Sequence, residues 1–133
     1  MSERLWPVAL TSLVILLAGS LVTGAFQPVQ AAGDPAAGKQ VFETVCSICH
    51  SAQQGRNAVG PSLFGVVGRQ SASAAGYNYS PPFKALGVTW DEATLDKYLV
   101  GPRAMVPGTK MTYAGLKDDK KRADVIAYLA TLK

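Results

Sequence analysis

Every cysteine and histidine of this chain falls in one run of five residues, Cys46-Ser47-Ile48-Cys49-His50. The chain has 133 residues, with two cysteines and one histidine in all. That clustering limits how it can be stabilised. A disulfide framework for a small exported domain needs more cysteines, spread along the sequence. Two cysteines three apart close no useful loop. Stability must therefore come from packing, or from something that binds only the folded state.

The spacing has its own chemical logic. Two thiols three apart at the end of a helix can each add to one vinyl group of the same porphyrin, and the next residue then offers an imidazole to the iron. Two other readings use the same residues. A zinc site would take Cys46, Cys49 and His50, but the chain has no further Cys or His, and structural zinc takes four such ligands. A thioredoxin-like redox pair wants a βαβ setting, and no strand alternation appears. The run therefore reads as the attachment site of one covalently bound haem c, which suits the transfer of single electrons outside the cytoplasm.

The N-terminus reads as an export segment. Residues 5–26 are apolar apart from a few Ser and Thr, Pro28 breaks the run, and Val29-Gln30-Ala31 is a small-x-small cleavage motif. The competing reading is an uncleaved anchor, since the apolar run would reach about 33 Å as a helix, enough to span a bilayer. Residues 1–31 are thus expected to be a secretory signal peptide, and residues 32–133 one domain. The formal charge is +4; Glu3 and Arg4 cancel, so cleavage leaves it unchanged. A mild, scattered excess of this kind steers acidic protein partners and gives no case for nucleic acid.

Beyond the leader, the periodicity predicts helices only. Asp34-Pro35 reads as an N-cap and first helical proline. Val41, Phe42, Val45, Ile48 and Cys49 then form an apolar face, so a helix is expected to about Cys49. Residues 51–76 read as loop, which is long for a small domain unless it wraps something. Pro81-Pro82 opens a short helix through Leu86. Thr89-x-x-Glu92 has the form of a capping box, starting a helix with Leu95, Tyr98 and Leu99 that stops at Gly101-Pro102. Residues 103–116 read as irregular. Asp118 or Asp119 caps a last helix carrying Val125, Ile126, Leu129 and Leu132. The fold class is all-α, with three main helices and long loops. Their apolar side chains are too few to fill a core alone, and a large flat apolar group would supply the rest.

These features add up to a family pattern. Residues 34–133 resemble a class I cytochrome c of the mitochondrial and bacterial cytochrome c2 type. The resemblance rests on Gly38-Lys39-x-Val41-Phe42, the Cys46 to His50 run, Gly60-Pro61-x-Leu63-x-Gly65-x-x-Gly68-Arg69, Tyr77-x-Tyr79-Ser80, Val88-Thr89-Trp90, Pro107-Gly108-Thr109-Lys110-Met111 and Ile126-Ala127-Tyr128-Leu129. It implies the cytochrome c fold around one haem, with His50 and Met111 as the two iron ligands. Met105 is the other methionine after the leader and lacks the Pro-Gly-Thr-Lys lead. The resemblance further implies that the Pro61 carbonyl accepts from the His50 imidazole, and that Arg69, Tyr79, Trp90 and Thr109 donate to the haem propionates. Tyr98 would lie near Met111, and Gly38, Phe42 and Tyr128 would join the first and last helices. Two places depart from the pattern. Val45 stands where mitochondrial relatives carry a lysine, and residues 51–59 hold only Arg56 as a basic residue where relatives carry several. Lys39, Lys84, Lys110, Lys117, Lys120 and Lys121 remain.

The function implied is that of a monomeric, periplasmic electron carrier, not an enzyme. Its partners by family analogy are a quinol–cytochrome c oxidoreductase as donor and a terminal oxidase or photosynthetic reaction centre as acceptor. A membrane-tethered carrier or dedicated subunit of one redox complex is the alternative that the long apolar N-terminus allows. A haem peroxidase or gas-binding protein would need an open iron position, which Met111 would fill.

Overall fold

The computed structural model describes residues 32–133. The export segment or anchor read in residues 1–31 lies outside the described residues. The first helix, α1 (Pro35–Val41), begins as its sequence dictates: Asp34 caps it by accepting from the Ala36 amide at 2.8 Å, and Pro35 takes the first position. It does not run on to Cys49. Phe42–Cys46 widens into a π-helical turn, with the Ser47 amide donating to the Phe42 carbonyl, and a tight turn follows in which the Cys46 carbonyl accepts from His50. Apolar spacing of 3 and 4 does not tell a π turn from an α turn over so short a run. One consequence is that Ile48, expected on the apolar face, is 73% exposed.

Four helices follow. The first two are α2 (Pro81–Lys84), shorter than its apolar run suggested, and α3 (Glu92–Val100). Asp91, not Thr89, caps α3, accepting from the Thr94 amide at 2.7 Å. Thr89 is held upstream in an isolated bridge to Gln70, flanked by bonds from Gly68 to the Trp90 carbonyl and from Ser71 to the Val88 carbonyl. That pairing keeps the chain extended until Asp91. Gly101 ends α3, and Pro102 at once opens a one-turn helix, α4 (Pro102–Met105), in a stretch read as irregular; the fixed φ of proline suits a first helical position. The last helix, α5 (Asp119–Thr131), is capped by Asp118.

The molecule is organised by the contact between α1 and α5. A Cβ on Gly38 would lie 1.9 Å from the Asp124 carbonyl oxygen, so only glycine lets the two backbones meet. Phe42 and Tyr128 pack with ring centroids 5.3 Å apart beside this crossing, and Val125, Ile126 and Leu129 are buried along α5. Across from this pair a chain of aromatic rings runs Tyr77, Tyr79, Phe83, Trp90, Tyr98, each centroid within 6 Å of the next. Helices and irregular segments together make an all-α fold whose core surrounds a cavity.

Candidate functional site

The cavity has a volume of about 570 Å³, and all ten residues singled out in the sequence line it: Cys46, Cys49, His50, Pro61, Arg69, Tyr79, Trp90, Tyr98, Thr109 and Met111. The π turn and the turn after it deliver the cysteines and His50. The loop after them returns at once: Gly60 donates to the Cys49 carbonyl at 2.7 Å. Gly60 lies so close beneath the imidazole that a Cβ there would sit 2.3 Å from Cε1 of His50. The next carbonyl, that of Pro61, lies 2.8 Å from Nδ1 of His50. With the proton on Nδ1 for this bond, Nε2 keeps its lone pair. Burial pushes the His50 pKa down, with the Pro61 bond opposing it, so the ring is neutral, the form that binds metals.

Burial pushes the Cys46 thiol up to about 11. A dithiol redox pair works through a lowered thiol pKa, so this environment disfavours that reading. Among the described residues no cluster of three or more His, Cys, Asp or Glu is placed to hold a metal.

Met111 follows the Pro107–Lys110 lead and is half-buried. Its amide donates to Oγ1 of Thr109 at 3.3 Å, and Lys110 donates to the Asn78 carbonyl, tying the lead to the opposite loop. The Tyr98 hydroxyl, projected from α3, donates to the Met111 sulfur at 3.2 Å. Burial pushes the Tyr98 pKa up to about 12, so the donor keeps its proton.

The polar end of the cavity carries the clearest sign of a missing partner. Arg69 gives two guanidinium nitrogens to the carbonyls of Phe64 and Ser62, each at 2.9 Å, while its Nε is buried with no acceptor. The Ser80 hydroxyl is buried on the same lining and also unpartnered. Tyr79 accepts from the Ala74 amide through its hydroxyl oxygen, so its own proton remains to give. Buried donors without acceptors are rare in native proteins, and here they converge on one cavity. A flat apolar group bearing carboxylates would meet the aromatic wall and these donors together, so the residues present fit a haem. Ser80 was missed as a site residue in the sequence. The signal was its place directly after Tyr79, but a serine beside a tyrosine looks like ordinary loop until its burial is known.

The Cytochrome c family profile matches residues 35–133. The chain is 54% identical over 101 residues to cytochrome c2 of Rhodopila globiformis, covering 76% of this chain and 95% of that protein. It is 56% identical over 102 residues to cytochrome c2 of Rhodomicrobium vannielii, covering 76% and 81%. Among solved structures it is similar to cytochrome cH from Methylobacterium extorquens, with a TM-score of 0.69, 47% identity, and coverage of 74% of this chain and 99% of that one. The chain therefore belongs to the cytochrome c family, as a class I cytochrome of the c2 type: a monohaem electron carrier, not an enzyme, with one covalently attached haem c.

Proposed function

We propose that residues 32–133 form a periplasmic carrier that shuttles single electrons between respiratory or photosynthetic complexes, and that the lining residues divide the haem between them as follows. Cys46 and Cys49 form the two thioethers, each thiol adding its S–H across one vinyl group. His50 binds the iron through Nε2, with Pro61 fixing the ring. Met111 would be the second iron ligand; its soft, neutral thioether would favour the reduced state and raise the potential. Arg69, Tyr79, Ser80, Trp90 and Thr109 donate to the propionates, which would be costly to bury without such partners. When bound, the haem iron supplies the one-electron couple. The chain's own part is to hold and orient the group: the aromatic side chains Tyr79, Phe83, Trp90 and Tyr98 would pack against it, and His50 and Met111 would hold its iron.

The observation that carries this reading is that His50 and Met111 line one cavity and each is already steered by a second residue, Pro61 and Tyr98. Oxidised and reduced visible spectra with haem extraction test it. Haem should stay with the protein in acidified solvent, and the oxidised form should show the weak far-red sulfur-to-iron band. Haem that leaves overturns the thioethers, and a missing far-red band overturns Met111. Tight binding of carbon monoxide by the reduced protein would instead favour a gas-binding or peroxidase role.

Location rests on the export segment. Among the described residues no helix is long and apolar enough to cross a membrane. The mature protein should begin at Ala32 on N-terminal sequencing; a start at Met1 would overturn the cleaved form and favour the tethered carrier. The proposed donor is a quinol–cytochrome c oxidoreductase, and the proposed acceptor a terminal oxidase or photosynthetic reaction centre.

A further inference from the structure

Met111 sits on a strap whose next backbone tie comes five residues later. From 112 to 115 the backbone makes no hydrogen bond to the rest of the described chain; the next tie is the Leu116 amide, donating to the Leu99 carbonyl on α3 at 2.7 Å. Gly115 lies flat against the same helix end, where a Cβ would meet the Val100 carbonyl oxygen at 2.2 Å, and Lys117 reaches the Val100 carbonyl. With the lead fixed upstream through Thr109 and Lys110, the hold on Met111 from its C-terminal side comes from how the foot of the strap is seated on α3, the helix that also carries Tyr98.

One buried side chain spans that seat. Arg122, with a side chain 6% exposed, projects from α5. Its Nε donates to Asp96 on α3 at 2.6 Å, one terminal nitrogen donates to Asp119 at 2.8 Å, and the other donates to the Leu116 carbonyl at 3.0 Å. Asp96 lies two residues before Tyr98, and Leu116 five residues after Met111. The same guanidinium thus grips the donor's helix and the acceptor's strap. The haem reading above gives Arg122 no part. As packing, a buried cation is expensive, and a point charge such as lysine cannot fill three divergent acceptors.

We infer that Arg122 is a positioning residue for the iron–sulfur bond: it latches the foot of the Met111 strap to α3 and so sets the register between Tyr98 and the Met111 sulfur. The inference rests on Met111 being the second iron ligand. Arg122→Lys keeps the charge for one carboxylate and gives up the strap carbonyl. Losing a hydrogen bond from a charged donor makes transient opening of the strap about tenfold more frequent.

The test uses the haem-loaded full chain in its oxidised form, titrated with imidazole, a small ligand that competes for the position held by Met111. Imidazole affinity is read from loss of the far-red band, and global stability from a separate denaturant titration. The expected result is that R122K binds imidazole about tenfold more tightly. Ile126→Val loosens the same helix at a residue that neither lines the cavity nor hydrogen-bonds to the strap through its side chain; it should lower the denaturation midpoint and leave imidazole affinity unchanged. Unchanged affinity in R122K, or an equal gain in Ile126→Val, overturns the latch. Should R122K fail to fold, Asp96→Asn frees one arm of the same guanidinium and should still raise the affinity; no rise there overturns the latch as well. A wild-type protein without the far-red band overturns Met111 ligation and the latch together, whereas a normal band with flat affinity overturns the latch alone.

Discussion

One hydroxyl proton, that of Tyr98, points at the sulfur proposed to hold the iron. A donor on that sulfur draws electron density from it and weakens its support of the oxidised metal. Tyr98→Phe keeps the ring and its packing against Trp90 and removes only the proton. It should therefore lower the potential. If about half of a typical bond of about 1 kcal/mol differs between oxidation states, the shift is roughly 20 mV. Redox titration checks it, and a potential that rises or stays fixed would contradict the role. At this scale much of the site was legible. Cys46, Cys49 and His50 announce themselves by spacing, Met111 by its Pro-Gly-Thr-Lys lead, and Tyr98 only through the family resemblance. Ser80 and the bare Nε of Arg69 did not, because being buried without a partner is a property of the folded chain and not of a residue type. Arg122 was hidden for the same reason: in a lysine-rich helix start it looks like one more surface cation.

At the scale of elements, the crossing of α1 and α5 depends on Gly38. Intrinsic preference favours alanine over glycine inside a helix by about 1 kcal/mol. Here the added methyl would strike the Asp124 carbonyl oxygen at 1.9 Å, and overpacking of that kind costs about 1–3 kcal/mol. Gly38→Ala should be a net destabilisation, lowering the melting temperature by about 5–10 °C in a calorimetric scan of so small a domain. The same crossing carries a pH signature. The Asp124 carboxylate accepts from Lys120 and from the Asp34 amide, and these bonds hold its pKa below the usual carboxylate range. The folded chain then binds fewer protons at this site than the unfolded one as pH falls. The stabilisation is complete above the ordinary aspartate value, near about 4, and is lost as pH drops through the lowered folded value. Asp124→Asn should flatten the acid limb of a stability–pH curve below about pH 4; an unchanged limb would place the acid sensitivity elsewhere. Caps and proline starts were readable because they depend on one or two residues, as Asp34, Pro35, Gly101 and Asp118 show. The end of α1 and the start of α3 were not. The first turns on a π turn, and the second on backbone pairing with residues 68–71, which no local pattern records.

At the scale of the whole molecule, the mouth of the cavity decides how a redox partner is met. Two of the large hydrophobic side chains that stand out in solvent, Ile48 at 73% and Val59 at 75%, both lie on the cavity lining. Of the lysines only Lys110 lines the cavity, where it donates to the Asn78 carbonyl; Lys39 and Lys120 are paired with Glu43 and Asp124. Charge at a contact rim mainly sets encounter rate and its salt dependence, while apolar area in the centre sets how long the pair stays together. With Val45, Ile48 and Val59 at the mouth and Arg56 the one basic residue in 51–59, the encounter should draw little on long-range attraction. The second-order rate of electron transfer to a purified acceptor complex is therefore expected to fall by less than about threefold as the Debye length shrinks from roughly 30 Å to 8 Å. Val59→Lys should raise the low-salt rate with an acidic-faced acceptor and make it steeply salt-dependent, whereas Val59→Ser should slow transfer at all salt concentrations by shortening the life of the complex. Stopped-flow mixing across a salt series separates the two terms. A steep salt dependence in the unaltered protein would mean that cations away from the mouth, such as Lys84 and Lys121, carry the encounter instead.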